Sequence, residues 1–130
     1  MPQYVYDHVH LVSPDPRRAA AFYERAFNAK LVAEGKYPEG GTRVELELGG
    51  TRLLIRSPRG TGQSTEDAPV KRLGLEHFGV RVDNIEAAVA ELKAKGIKLL
   101  EEIRVSAPTG AKIAFLMAPD NVMIEIVQRK

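Results

Sequence analysis

An internal duplication constrains this chain more than any other feature. Tyr6-Asp7-His8-Val9-His10-Leu11-Val12 opens one half and Leu75-Glu76-His77-Phe78-Gly79-Val80-Arg81-Val82 opens the other. Each is followed by an aspartate (Asp15, Asp83), an alanine-rich stretch, and a short apolar return, Lys30-Leu31-Val32 against Lys98-Leu99-Leu100. The match runs at an offset of 68 residues through the helices, and His8 and His77 stand 69 apart. A repeat of about 65 residues suits two half-domains, each too small to bury a full core alone. A histidine at the same point of each copy can bring two imidazoles to one pseudo-twofold axis, an arrangement that suits a metal ion.

Length and charge limit the rest. The 130 residues make one domain, spanning 1–130. Nineteen Lys and Arg nearly balance seventeen Asp and Glu, and the charges are interspersed. No basic run interleaved with aromatics suggests a nucleic-acid surface. With no cysteine, neither a disulfide framework nor a thiolate site is available, so any metal must be held by His, Asp or Glu. No apolar run is long enough to span a membrane, and Met1-Pro2 leads straight into a strand pattern without a leader, so a cytoplasmic location is expected.

Along the chain, residues 4–12 alternate and are rich in Val and Tyr, which predicts a strand. Asp15 and Pro16 supply helix-start chemistry for a helix over 16–28, with Ala20, Phe22, Tyr23, Ala26 and Phe27 on its buried side. Strands are expected at 29–34, 42–48 and 51–57, the last pair joined by a Gly49-Gly50 turn. The second half repeats the order: a strand at 75–82, a helix at 84–95 stopped by Gly96, and strands at 97–102, 111–118 and 121–128. The fold class is therefore α+β, with two βαβββ modules at about 4–57 and 75–128 and a linker at 58–74 rich in Gly, Ser, Thr and Pro.

Strand alternation sorts the side chains by face. Val44, Leu46, Leu53, Ile55, Phe78, Val80, Val82, Val122, Ile124 and Ile126 point towards the helices. His8, His10, Arg43, Glu45, Glu47, Arg52, Leu54, Arg56, His77, Gly79, Arg81, Lys112, Met123, Glu125 and Val127 take the opposite face. Aligning Gly50–Ile55 with Asn121–Ile126 sets Leu54 against Glu125. His8, His77 and Glu125 then form two imidazoles and one carboxylate, a facial set that leaves positions open for water and substrate. The same pattern also fits histidines sitting on a wet sheet face. His10, whose mate is Gly79, fits a further ligand, a substrate contact, a proton shuttle or a solvated rim residue.

Asp7-His8-Val9 with Phe22-Tyr23, Glu76-His77-Phe78 with Val82-Asp83, and Ala118-Pro119-Asp120 through Ile124-Glu125-Ile126 together resemble the vicinal oxygen chelate superfamily. Glyoxalase I, methylmalonyl-CoA epimerase, extradiol dioxygenases, fosfomycin-resistance enzymes and bleomycin-binding proteins share that fold. The resemblance covers residues 4 to 128 and implies βαβββ modules forming a curved mixed sheet around a metal-binding cup. It implies one divalent ion (Zn, Ni, Mn, Co or Fe(II)) on His8, His77 and Glu125. Glyoxalases and epimerases of this fold usually add a fourth ligand where this chain has Leu54; dioxygenases and fosfomycin enzymes use three.

Common to those enzymes is chelation of two neighbouring oxygens and stabilisation of an enolate or similar oxyanion. The expected activity is therefore that of a glyoxalase-like lyase or isomerase on a small oxygenated anionic substrate. A dioxygenase, a fosfomycin-type transferase, or a bleomycin-resistance-like binding module are the alternatives. Glu45 and His10 are candidate proton acceptors, with Glu125 as catalytic ligand. Glu45 and Glu47 equally suit cross-strand ion pairs with Arg52 and Arg56. Arg43, Arg56 and Arg81 are candidate substrate-binding residues, because arginine pairs well with carboxylate or phosphate. Family members commonly dimerise, which implies a homodimer.

Overall fold

A computed structural model describes residue 3, residues 5–58 and residues 73–130. The 58–74 linker of the sequence reading falls outside these apart from its ends, Pro58, Leu73 and Gly74, and so does Tyr4. The chain divides into two compact units, Met1–Gln63 and Ser64–Lys130.

In the first unit, β1 (His8–Val12) leads into α1 (Pro16–Phe27), followed by β2 (Lys30–Lys36), β3 (Thr42–Leu48) and β4 (Thr51–Arg56). The sheet order is β1-β4-β3-β2, with β1 parallel to β4 and the other pairs antiparallel. The local chemistry explains the boundaries. The Asp15 side chain accepts a hydrogen bond from the Arg18 amide at 3.1 Å, Pro16 needs no amide partner in the first turn, and Asn28 ends the helix in a left-handed conformation. Gly49 and Gly50, at φ 58° and 87°, make the two-residue turn that sets the β3–β4 register. Ala19, Ala20, Tyr23 and Ala26 of α1 pack on β3 and β4, where Val44, Leu46, Leu53 and Ile55 are almost wholly buried. Each such aliphatic side chain contributes roughly 1.5–3 kcal/mol.

The second unit repeats the pattern: β5 (His77–Arg81), α2 (Ile85–Ala94), β6 (Leu99–Val105), β7 (Lys112–Ala118) and β8 (Val122–Gln128), in the order β5-β8-β7-β6. Asn84 caps α2 by accepting from the Ala87 amide at 3.0 Å, and Gly96, at φ 79°, follows its end. Ile85, Val89 and Leu92 bury the helix on the sheet beside Ala114, Leu116, Ile124 and Ile126.

Several details depart from the sequence reading, among them β1, which begins at His8, and β6, which runs to Val105. Phe78, Val80 and Val82 are only half-buried, because β5 is an edge strand and α2 lies over β6 and β8. Lys112 does not join the face opposite the helices; its ammonium pairs with Glu86 of α2 at 2.8 Å, since Ile113 and Phe115 take the alternate positions. That other face of the second sheet is also not simply polar. Ile113, Phe115, Met123 and Val127 are buried there as a second apolar cluster, with Met117 packed against it. Among the described residues, no helix is long and apolar enough to cross a membrane.

Candidate active site

The strand registers test the duplication directly. Within the first sheet His8 lies opposite Arg52 and His10 opposite Leu54; within the second, His77 lies opposite Met123 and Gly79 opposite Glu125. His8 and His77 are therefore equivalent positions, as are His10 and Gly79, and Leu54 and Glu125.

In the second unit His77 and Glu125 meet. The His77 Nε2 lies 3.2 Å from Glu125 Oε1, and its Nδ1 lies 3.0 Å from Glu76 Oε1. The Phe115 ring stands edge-on to the imidazole at 5.3 Å and fixes its plane. A carboxylate only accepts, and a neutral imidazole has one N–H to give. With that N–H on Glu76, the Nε2 lone pair faces the Glu125 oxygen, and the contact needs a second proton or a cation. The donor set fits a cation. Two ligand atoms about 2.1 Å from one ion lie about 3.0 Å apart at a right angle and about 3.4 Å apart at the tetrahedral angle, which brackets the observed separation. A carboxylate holding the far nitrogen of a ligand histidine is also the usual outer-shell arrangement.

The first unit shows the same histidine–acid pairing, with His8 Nδ1 2.7 Å from Asp7 Oδ2. At Leu54, however, no carboxylate faces the strand bearing His8. Among the described residues, no three His, Cys, Asp or Glu side chains gather into one metal cluster. What the second unit supplies on its own is the His77–Glu125 pair.

The remaining sequence candidates are placed as follows. Glu45 is held by two guanidinium groups, Arg43 at 2.7 Å and Arg52 at 3.3 Å, one on each carboxylate oxygen. Glu47 instead accepts from the Gly50 amide at the hairpin turn. His10 Nε2 is 3.5 Å from the Tyr37 hydroxyl, the outer limit of a hydrogen bond. Arg56 is buried, its side chain 4% exposed. Its guanidinium stacks on Tyr37 at 4.0 Å, Nε donates to the Ser57 carbonyl, and Nη2 lies 3.6 Å from Glu39.

Arg81 joins His77 and Glu125 in a cavity of about 410 Å³ in the second unit, which Gly79, Val127 and Arg129 also line. Arg129 escaped the sequence reading, although it keeps the alternation of Glu125 and Val127 and could have been found by carrying that alternation past the strand's end. Asp7 and Glu76, which precede the two histidines in the repeat, each contact the neighbouring Nδ1. Their adjacency to each histidine was the visible signal.

Comparison with known proteins bears on the same residues. Residues 5–126 match the family model of the Glyoxalase/Bleomycin resistance protein/Dioxygenase superfamily. The chain belongs to that superfamily. It is 35% identical to the mitochondrial methylmalonyl-CoA epimerase of Homo sapiens, over 94% of this chain and 72% of that protein. It is 27% identical to the lactoylglutathione lyase of Schizosaccharomyces pombe, over 96% of this chain and 45% of the other. Among solved structures, a glyoxalase family protein from Enterococcus faecalis superposes with a TM-score of 0.82 at 27% identity, covering 95% of this chain and 96% of that one. The two sheets of four strands, each with one helix, are the fold of this superfamily.

Proposed function

We propose that this superfamily member is a metal-dependent isomerase or lyase acting on a small oxygenated anionic substrate. The observation that carries the reading is the His77–Glu125 contact, in which two potential ligand atoms face each other at 3.2 Å while the other imidazole nitrogen is occupied by Glu76. His8, the first-repeat counterpart of His77, completes the ligand set in this reading on the strength of the duplication and its own Asp7 contact. The 35% identity to methylmalonyl-CoA epimerase, over 94% of this chain, supports epimerase-type chemistry over other members' reactions.

A divalent ion at such a site supplies Lewis-acid polarisation of two neighbouring substrate oxygens, which lowers the cost of enolate-like charge. The protein's part is to bind, orient and move a proton. Glu45 or His10 accepts the proton; Glu45 lies between Arg43 and Arg52, and His10 Nε2 lies 3.5 Å from the Tyr37 hydroxyl. Of the three candidate substrate cations, Arg81 is exposed, whereas Arg43 is paired with Glu45 and Arg56 is buried against Tyr37 and Glu39.

Metal titration of the purified chain tests the reading. One divalent ion per chain is expected. His8→Ala, His77→Ala and Glu125→Gln should each weaken it by more than the roughly 10- to 100-fold typical of losing an outer-shell partner. Unchanged metal affinity in His77→Ala would overturn the proposal. Leu54 favours a second reading, a three-ligand enzyme: oxygen uptake by the iron-loaded protein would reveal an oxygenase, and its absence would leave a transferase.

A further inference from the structure

The second unit carries two arginines that the reaction scheme above leaves without a shared task. Arg81 and Arg129 line the same cavity as His77 and Glu125, and Gly79 lies between the two pairs along β5. His77, Gly79 and Arg81 occupy alternate positions of one strand face, and Glu125, Val127 and Arg129 follow the same alternation along β8 and beyond its end. The cavity is therefore graded: a histidine–carboxylate pair at one end, a position with no side chain in the middle, two guanidinium groups at the other end.

The middle position matters because a Cβ at Gly79 would be in ordinary contact with the Glu125 backbone, at 3.6 Å. Alanine would fit there, while anything longer would grow into the space between the two ends. At the far end the two positive charges are uncompensated. Among the described residues, Arg17, Arg43, Arg52, Arg56 and Arg104 are each held by a carboxylate, but none lies on Arg81 or Arg129. Two neighbouring guanidinium groups without a counter-charge repel each other and attract an anion able to bridge them. A volume of about 410 Å³ is in the range that takes a small molecule.

We infer that Arg81 and Arg129 form an anion clamp that selects substrates carrying a second acidic group, a few bonds from the oxygens offered to the His77–Glu125 end. The substrate class is thus a small diacid, or an acid bearing a phosphate-like group, with an oxygenated carbon near one terminus. The inference rests on the proposed metal reading for the orientation of the substrate, and the clamp itself stands on the geometry of the second unit.

Matched probes separate the two. 2-Hydroxyglutarate and 2-hydroxyvalerate have the same chain length and the same hydroxy-acid terminus, and only the first carries a second carboxylate. Calorimetric titration of the full chain, with and without added Mn(II), should show the diacid binding about 10- to 100-fold more tightly than the monoacid, the range of a charged hydrogen-bonded contact. Arg81→Gln and Arg129→Gln should each reduce that ratio, and the double variant should bring it near one. Both side chains are exposed, so their replacement leaves the apolar core in place, which a thermal melt would verify. Equal binding of the two acids by the unaltered chain, or a ratio unmoved in the double variant, would overturn the clamp. Loss of Mn(II) dependence with the diacid preference intact would instead count against the metal reading alone.

Discussion

Leu54 occupies the position that Glu125 takes in the second repeat, and the registers make the correspondence strict: Leu54 lies opposite His10 and Glu125 opposite Gly79. Leu54 is half-buried on the face away from α1, so a carboxylate there need not enter the core. Leu54→Glu should therefore raise the affinity for a divalent ion, by about tenfold or more if the added charge-assisted contact is worth its usual 1.5–3 kcal/mol. A competition titration against a chelator would measure it, and a lowered affinity would show that this face does not reach the ion. The pairing of His8 with His77 and of Leu54 with Glu125 was legible in the sequence because both rest on chain alignment alone. The cross-strand pair of Glu45 with Arg52 was legible too, but the second guanidinium on Glu45, that of Arg43, was not. Alternation places all three on one face without saying which carboxylate the guanidinium groups choose.

The elements were legible because their ends carry strong local chemistry. Asp15, Pro16 and Asn28 bound α1, glycines form the β3–β4 turn, and Val, Leu and Ile alternate along β3, β4 and β8. Where the reading failed, a tertiary fact decided: which strand lies at the edge, and which side of β7 faces α2. Met123 and Val127 are buried on the face away from α2 because β7 presents Ile113, Phe115 and Met117 beside them, so both faces of the second sheet hold apolar side chains. The caps make a quantitative prediction. Asn84→Ala removes the acceptor for the Ala87 amide and should cost about 1 kcal/mol in a denaturant melt. The first turn of α2 also holds Glu86, whose contact with Lys112 keeps its carboxyl below the usual carboxylate range. A carboxyl lowered in the folded state adds stability above its unfolded pKa, and that contribution fades as pH falls through the folded value. Because Glu86 is exposed, Glu86→Gln should flatten the acid limb of the stability profile only slightly, and a steep change would imply a larger role for the pair.

For the molecule as a whole, the question is whether the two units answer to one ligand. Each has its own sheet and helix. The proposed ligand set draws His8 from the first unit and His77 and Glu125 from the second, and such a set imposes a linkage. An ion that binds only when both units are folded stabilises both by the same free energy, about 2.7 kcal/mol at a free concentration one hundred times its Kd. Amide exchange read by mass spectrometry can see this unit by unit. Adding the ion should slow exchange in the core strands of both units, β3 and β4 as well as β7 and β8, to a similar degree. His8→Ala should then abolish the slowing in the first unit. Protection confined to the second unit would mean that His77 and Glu125 hold the ion without His8. In that case the duplication would have preserved a fold in its first copy and a binding site only in its second.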